Sequence, residues 1–341
     1  VTAASAPVGR RVDERPAMPR PLAYGALALA ALLFGATFVV VKDALASFPP
    51  FAFVGWRFLL GGLALLLLAR PRGSEVWRDG LVAGSLLFLG YGTQTLGLTT
   101  TTAANSGLIT GLYVVFTPLL AAALRRRRPA PTVVAGAGAA LGGLWLLSGQ
   151  NGLRLHPGDL LTVACALAFA AHILVLARFS PRHRVVPFTA VQLLVVATLS
   201  LFAALGEGFP LPGRGVAAAL LLTGLAASAA AFVVQVGAQR VVGPSRTAIV
   251  LALEPVFATA TATLVLGERL AGRGWLGAAA IVAGIYLVVA ISPAEEADVR
   301  AATAFSAPGP TEAGSIPDAP AAAGSPGDIR RWRRAGRRAR G

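Results

Sequence analysis

Lysine, cysteine and charge are scarce in this chain. Of its 341 residues one is lysine, Lys42, and one is cysteine, Cys165, which lies inside an apolar run. A lone cysteine forms no intrachain disulfide, so a disulfide scaffold is excluded and the redox compartment is left open. Charged residues make up 13% and hydrophobic residues 55% of the chain, with a mean hydropathy of +0.69. That balance belongs to a polytopic membrane protein. Catalytic signatures are missing too. No HExxH, no GxSxG and no pair of intramembrane aspartates occurs, which argues against an intramembrane enzyme. No GxxxxGK[ST] loop occurs, so direct drive by ATP is not expected, and neither a cofactor nor a metal site is read. No cleavable signal peptide is expected, because the first apolar run is too long for one and many runs follow.

What the chain has is arginine and long apolar runs. Ten membrane spans are predicted, over residues 22–41, 51–69, 81–98, 106–124, 133–148, 159–177, 188–205, 216–239, 247–266 and 275–291. The formal net charge of +15 raises the question of nucleic acid, and its distribution answers it. With the N-terminus inside, the segments between spans on the cytoplasmic side hold Arg10, Arg11, Arg15, Arg20, Arg70, Arg72, Arg78, Arg125 to Arg128, Arg178, Arg182, Arg184, Arg240 and Arg246. The opposite loops hold only Lys42, Arg154, Arg214, Arg269 and Arg273. The positive-inside rule therefore places both termini in the cytoplasm of a cell whose inner membrane the chain spans, and no nucleic-acid partner is expected.

The second half repeats the first. Phe34 matches Phe169 and Arg57 matches Gln192 at an offset of 135 residues; Gln94 matches Gln235, Ser106 matches Thr247, Gly136 matches Gly277 and Gly143 matches Gly284 at an offset of 141. Each half has five spans. An odd number makes the second half enter the membrane from the opposite side, so the fold class expected is all-α and polytopic: ten transmembrane helices as two inverted five-helix repeats. Inverted repeats place a solute site near the midplane and alternate its access.

The stretch RTAIVLALEPVFATATATLVLGER, residues 246–269, carries Glu254 in its interior. A charge at the bilayer centre costs at least about 2.5 kcal/mol, so this carboxylate must face a partner, a proton or a water-filled cavity. Pro255 removes a helical hydrogen bond beside it and is expected to loosen the helix. At the second offset Glu254 matches Tyr113, which belongs to a stripe on the fourth span with Ser106, Thr110 and Thr117. The eighth span carries a second stripe, Ser228, Gln235 and Gln239. Glu254 is the leading candidate for a proton or solute site, against a purely structural carboxylate. Tyr113, Gln94, Gln235, Thr110, Ser106 and Thr37 are candidate solute contacts, against interhelical hydrogen bonding as the plainer role. His172 could relay protons or simply pack. Arg57 could bind a solute carboxylate, counter Glu254, or snorkel from a shallow position. Phe34, Phe38 and Phe116 read as packing or lipid-facing residues, and Glu268 with Arg269 as a cap on an outer turn.

LLFGATFVVVK followed by WRF, then QTLGLTTTTAANSGLITGLYVVFTPLL, then SRTAIVLALEPVFATATATLVLGERL resemble the drug/metabolite transporter superfamily, in particular its ten-helix EamA-type members. The resemblance covers about residues 22 to 291. It implies two EamA-type repeats, over 21–149 and 158–291, that export or exchange a small organic solute such as an amino acid. It further implies a cavity surrounded by spans one, three, four, six, eight and nine. Residues 1–20 form a basic arm. Residues 292–341 form an Ala-, Pro- and Gly-rich tail ending RRWRRAGRRARG, which is expected to be disordered and to lie on anionic lipid or in solvent. The competing reading is a scaffolding or sensory membrane protein acting through that tail. Duplication with opposed orientation speaks against it. The solute, the coupling ion and the oligomeric state are not legible.

Overall fold

The computed structural model describes residues 18–124, 126, 128–148, 156–242, 247, 250–251 and 253–290, and the regular elements among them are all helical. The basic arm falls outside the described residues up to Ala17, and the tail over 292–341 falls outside them entirely. The helices are α1 Arg20–Ala44, α2 Pro50–Leu68, α3 Ser74–Thr100, α4 Ala103–Thr110, α5 Tyr113–Leu124, α6 Pro131–Ser148, α7 Pro157–Phe179, α8 Val185–Ala203, α9 Arg214–Leu221, α10 Ala231–Val242, α11 Glu254–Leu266 and α12 Gly272–Ala290. A π-helical segment, Leu222–Ala230, joins α9 to α10.

Seven stretches among the described residues are long and apolar enough to cross a membrane: α1, α2, α3, α4 with α5, α7, α8, and the run from Arg214 to Val242. Helices α6, α11 and α12 occupy the positions of the three remaining predicted spans. The outer surface carries Leu67, Leu68, Leu264, Val265 and Leu276, all exposed, which suits a protein solvated by lipid chains.

Proline starts several of these helices. Pro50 and Pro157 stand in the first turns of α2 and α7, where a missing N–H costs no internal bond. Pro255 does the same in α11. It therefore opens a helix at Glu254, and the weakening expected around Pro255 takes the form of a break just before it, with proline at a helix start, where it is best tolerated.

Small residues set the packing. A side chain at Gly55 would run into Leu201, and one at Gly62 into Leu194, so α2 and α8 cross antiparallel at close range. A Cβ on Gly143 would meet Gly277 O at 2.6 Å and Ile281 N at 2.7 Å; one on Gly284 would meet Gly136 O at 2.5 Å and Ala140 N at 2.8 Å. Helices α6 and α12 thus also run antiparallel, with backbones in direct contact. The other principal pairings are α3 with α7 and α8, α1 with α10 and α11, α4 with α11, and α5 with α7.

Candidate functional site

The fourth and ninth of the predicted spans are both interrupted, at places one repeat offset apart. Between α4 and α5 the chain turns at Gly111 and Leu112, with Leu112 N–H donating to Ile109 O at 3.0 Å and Phe116 N–H to Leu112 O at 2.9 Å. One repeat offset later, Leu253 N–H donates to Val250 O at 3.1 Å and Phe257 N–H to Leu253 O at 3.0 Å. The first residues after the two breaks are Tyr113 and Glu254. They touch: the Tyr113 hydroxyl donates to Glu254 Oε2 at 3.3 Å, across 141 residues of sequence. Helix interruptions in matching positions of two halves are a recognised pointer to a solute site in membrane bundles.

Beside this pair lies a cavity of about 30 Å³, lined by Phe34, Leu87, Tyr91, Tyr113, Phe169, His172, Ile173, Phe232, Gln235, Leu251 and Glu254. That volume accommodates about two waters. The wall is drawn from the first, third, fourth, sixth, eighth and ninth spans. Its aromatic part is two-fold in character. Phe34 packs on Phe232 with centroids 5.2 Å apart, and their repeat mates Phe169 and Tyr91 pack at the same 5.2 Å. Tyr91 and Phe232, themselves mates at the second offset, meet edge-on at 6.0 Å. His172 adds an edge contact to Phe232 at 6.4 Å, and its Nε2 shares a 2.8 Å hydrogen bond with Gln192 Oε1. The Gln235 amide has no hydrogen-bond partner among the described residues and borders the cavity.

Of the candidates read from sequence, Glu254, Tyr113, His172 and Gln235 come together here. The others do not border this cavity. Gln94 donates to Thr110 Oγ1 at 3.2 Å, Ser106 pairs with Thr162 at 3.5 Å, and Thr37 donates to Phe34 O in its own helix at 2.6 Å. Arg57 does not snorkel. It is 3% exposed, its Nε donates to Ser228 Oγ at 2.8 Å, and its Cζ lies 5.1 Å from the Tyr91 ring centre. The stripe read on the eighth span is divided because Ser228 sits in the π-helical segment, whose wider turn shifts the register. Ser228 meets α2, Gln235 the cavity, and Gln239 Nε2 donates to Ile173 O at 3.3 Å.

Phe34 is a buried packing residue, as one of its two readings has it, and not lipid-facing; it also borders the cavity. Tyr91, Phe169 and Phe232 were missed. Applying the repeat offset to Tyr91, which stands between Gly90 and Gly92 in mid-span, would have paired it with Phe232 and pointed to both.

The two ends of the bundle carry polar ties. At one, Lys42 Nζ donates to Leu98 O at 2.6 Å and Thr101 O at 2.8 Å, and Thr101 Oγ1 donates to Asp159 at 2.6 Å. Glu268 accepts from the N–H groups of Ala103 at 3.0 Å and Ala104 at 2.9 Å, capping α4 from outside it. Glu207 likewise accepts from Phe51 N–H at 2.8 Å at the start of α2. At the other end Asp79 Oδ2 meets His183 Nε2 at 2.8 Å, and Arg240 donates to His183 O at 2.5 Å.

Residues 21–149 and 156–290 each match the EamA-like transporter family. An uncharacterized transporter of Archaeoglobus fulgidus is 35% identical over 263 residues, covering 77% of this chain and 84% of that protein. The uncharacterized transporter YwfM of Bacillus subtilis is 28% identical over 290 residues, covering 80% of this chain and 95% of its own length. A solved crystal structure superposes with a TM-score of 0.61 over 82% of this chain and all of that one, at 23% identity, a likeness of fold.

Proposed function

Because this chain belongs to the EamA-like transporter family of the drug/metabolite transporter superfamily, and is thus a multi-pass membrane transporter of small molecules rather than an enzyme, we propose that it exports an organic solute such as an amino acid by alternating access. The pathway runs through the cavity beside Tyr113 and Glu254. The observation that carries this reading is the 3.3 Å bond between these two residues, which are each other's repeat mates. Two mates can touch only on the axis that relates the halves, so a carboxyl that the bilayer penalises sits at the centre of the bundle.

The architecture proposed is ten spans in two inverted repeats, over 21–149 and 158–291. Antiparallel contact between a helix and its own copy supports it. The crossings of α2 on α8 and of α6 on α12 both have that form, and an axis that reverses a helix onto its copy lies in the membrane plane. The cavity itself departs from the symmetry. His172, Gln235 and Leu251 line it, whereas their mates Thr37, Gln94 and Thr110 lie outside it. An alternate state in which the halves exchange conformations brings those three to the cavity, which gives them a role as solute contacts on the opposite swing. The arginine distribution supports an inner-membrane location with both termini cytoplasmic.

Glu254 is the coupling group in this scheme, exchanging a proton as solute passes. A solute screen in proteoliposomes, with and without a pH gradient, tests the reading by comparing the intact protein with Glu254→Gln. Transport that is lost or uncoupled from the gradient in a folded variant is the expected result. Unchanged flux with unchanged pH dependence would remove Glu254 from the mechanism.

A further inference from the structure

Resting on the transport reading, we propose that Asp79, His183 and Arg240 form a proton-responsive latch at the end of the bundle that the arginine distribution assigns to the cytoplasm: charged His183 holds that end shut, and uncharged His183 releases it. Three elements meet there. Asp79 stands on α3, His183 on the connection between α7 and α8, and Arg240 near the end of α10. His183 Nε2 meets Asp79 Oδ2 at 2.8 Å, and the His183 carbonyl accepts from Arg240 at 2.5 Å. The connection thus joins α3 to α10, which belong to the third and eighth spans. Under it lies a separate apolar cluster that includes Val76, Leu176, Phe188 and Val236. Along α7 the order runs from the cavity residues His172 and Ile173 to Leu176 and then to the His183 turn; along α10 it runs from Gln235 to Val236 to Arg240. Cluster and latch therefore stand between the cavity and this end.

Asp79 is the reason the latch answers to protons. Its side chain is 2% exposed and that of His183 is 7% exposed. The other cation on it, Arg78, reaches Oδ1 at 3.2 Å from a side chain that is 73% exposed, so water screens that pair. A buried carboxylate is costly without a close cation, and the imidazole is the buried partner. Charged, it gives Asp79 an ion pair and a charge-assisted bond. Uncharged, its Nε2–H still donates, but as a neutral group, and the carboxylate keeps only the screened arginine. The ring also stacks on Phe188 with centroids 5.2 Å apart, a contact that a cation strengthens. The elements around His183 bring Glu75, Arg78 and Asp79 on α3, Arg178 on α7, Arg182 and Arg184 beside it, and Arg240 on α10; α8 has no charged residue. Imidazole is the side chain that ordinarily changes charge between about pH 5 and pH 8, and this group contains one.

The device is one-sided. The repeat mates of Asp79, His183 and Arg240 are Leu220, Phe48 and Thr99, none of which titrates. At the opposite end Lys42 and Glu268 hold the turn between α3 and α4 through bonds that include no histidine. An exporter that takes in protons against its solute acidifies the cytoplasm, and a mouth that closes on acidification limits that influx.

The test uses the full chain with Cys165→Ala and Ile173→Cys, which leaves a single thiol on the cavity wall, in right-side-out and inside-out membrane vesicles with equal pH on both faces. A membrane-impermeant methanethiosulfonate reads access from each end, and the ratio of the two rates cancels the titration of the thiol itself. The ratio, Asp79 end over Lys42 end, is expected to rise about 5- to 30-fold between about pH 5.5 and pH 8, the difference between a charge-assisted and a neutral bond. In His183→Gln, which donates to Asp79 but takes no charge, the rise is expected to shrink to twofold or less, with the ratio at its alkaline value throughout. Should that variant fail to fold, His183→Lys carries a fixed charge and is expected to hold the ratio at its acid value. A ratio that does not change with pH while His183 is present, or that changes equally in His183→Gln or His183→Lys, overturns the latch and leaves the transport reading standing. A ratio that responds as expected in a protein that moves no solute in the wider screen keeps the latch and overturns transport.

Discussion

Glu268 joins the turn after α11 to the N-terminus of α4, and in the alternating-access scheme that tie must break when the Lys42 end of the bundle opens. Its two carboxylate oxygens accept from Ala103 N–H at 3.0 Å and Ala104 N–H at 2.9 Å. Glu268→Gln keeps one acceptor oxygen and turns an NH2 group toward the second N–H, so one of the two bonds is lost and the other becomes neutral. A hydrogen bond to a charged group contributes about 1.5–3 kcal/mol. Glu268 is only half-buried, so the change falls at about 1–2 kcal/mol, which shifts the open population by about 5- to 30-fold. Cys165 is a ready reporter, being the one cysteine of the chain and fully buried in α7. Its reaction with a membrane-impermeant maleimide added from the Lys42 side should accelerate by that same factor. Thr102→Ala is the control. The Thr102 hydroxyl caps α4 locally, accepting from Asn105 N–H at 3.1 Å, so its loss weakens the helix end by about 1 kcal/mol without releasing the tie between spans. A Glu268→Gln rate within twofold of the intact protein, or equal acceleration in Thr102→Ala, would refute the reasoning.

Gly143→Ala and Gly284→Ala should each lower stability by about 1–3 kcal/mol, because the new methyl group meets backbone atoms that cannot yield separately. Thermal unfolding in detergent checks this, and the two losses should be similar, since the two glycines occupy matching positions. Gly267→Ala should cost about 1 kcal/mol by the same measurement, as Gly267 ends α11 with φ of 65°, a left-handed conformation that a Cβ disfavours. Tyr113→Phe removes the hydrogen bond that Glu254 accepts among the described residues and should weaken pH-coupled flux by less than Glu254→Gln does, with the protein still folded. Phe34→Ala should enlarge the cavity at a cost of about 3–5 kcal/mol in stability and shift the preferred solute toward bulkier side chains, read from counterflow competition.

The membrane class, the helical content, the repeat and the family were decided by the sequence alone, because each is a sum over local properties. Apolar runs partition into lipid whatever their neighbours are, and the offset of 141 residues that matches Gln94 to Gln235 survives any packing. The prominence of Glu254 and Tyr113 followed from the same logic, since depth in an apolar run is a local quantity. Which polar side chains share a cavity is different in kind. It depends on how far each helix is rotated and where it is broken, and those are settled by contacts between helices. The π-helical turn around Ser228 sends that hydroxyl to Arg57 while Gln235 faces the cavity. The bare backbone of Gly61, close against Gly224 O and Ser228, lets α2 approach closely enough to bury Arg57 there. Only the tertiary structure could therefore turn Phe34 inward, place Gln235 on the cavity while its mate Gln94 bonds Thr110, and bring Tyr113 and Glu254 into contact.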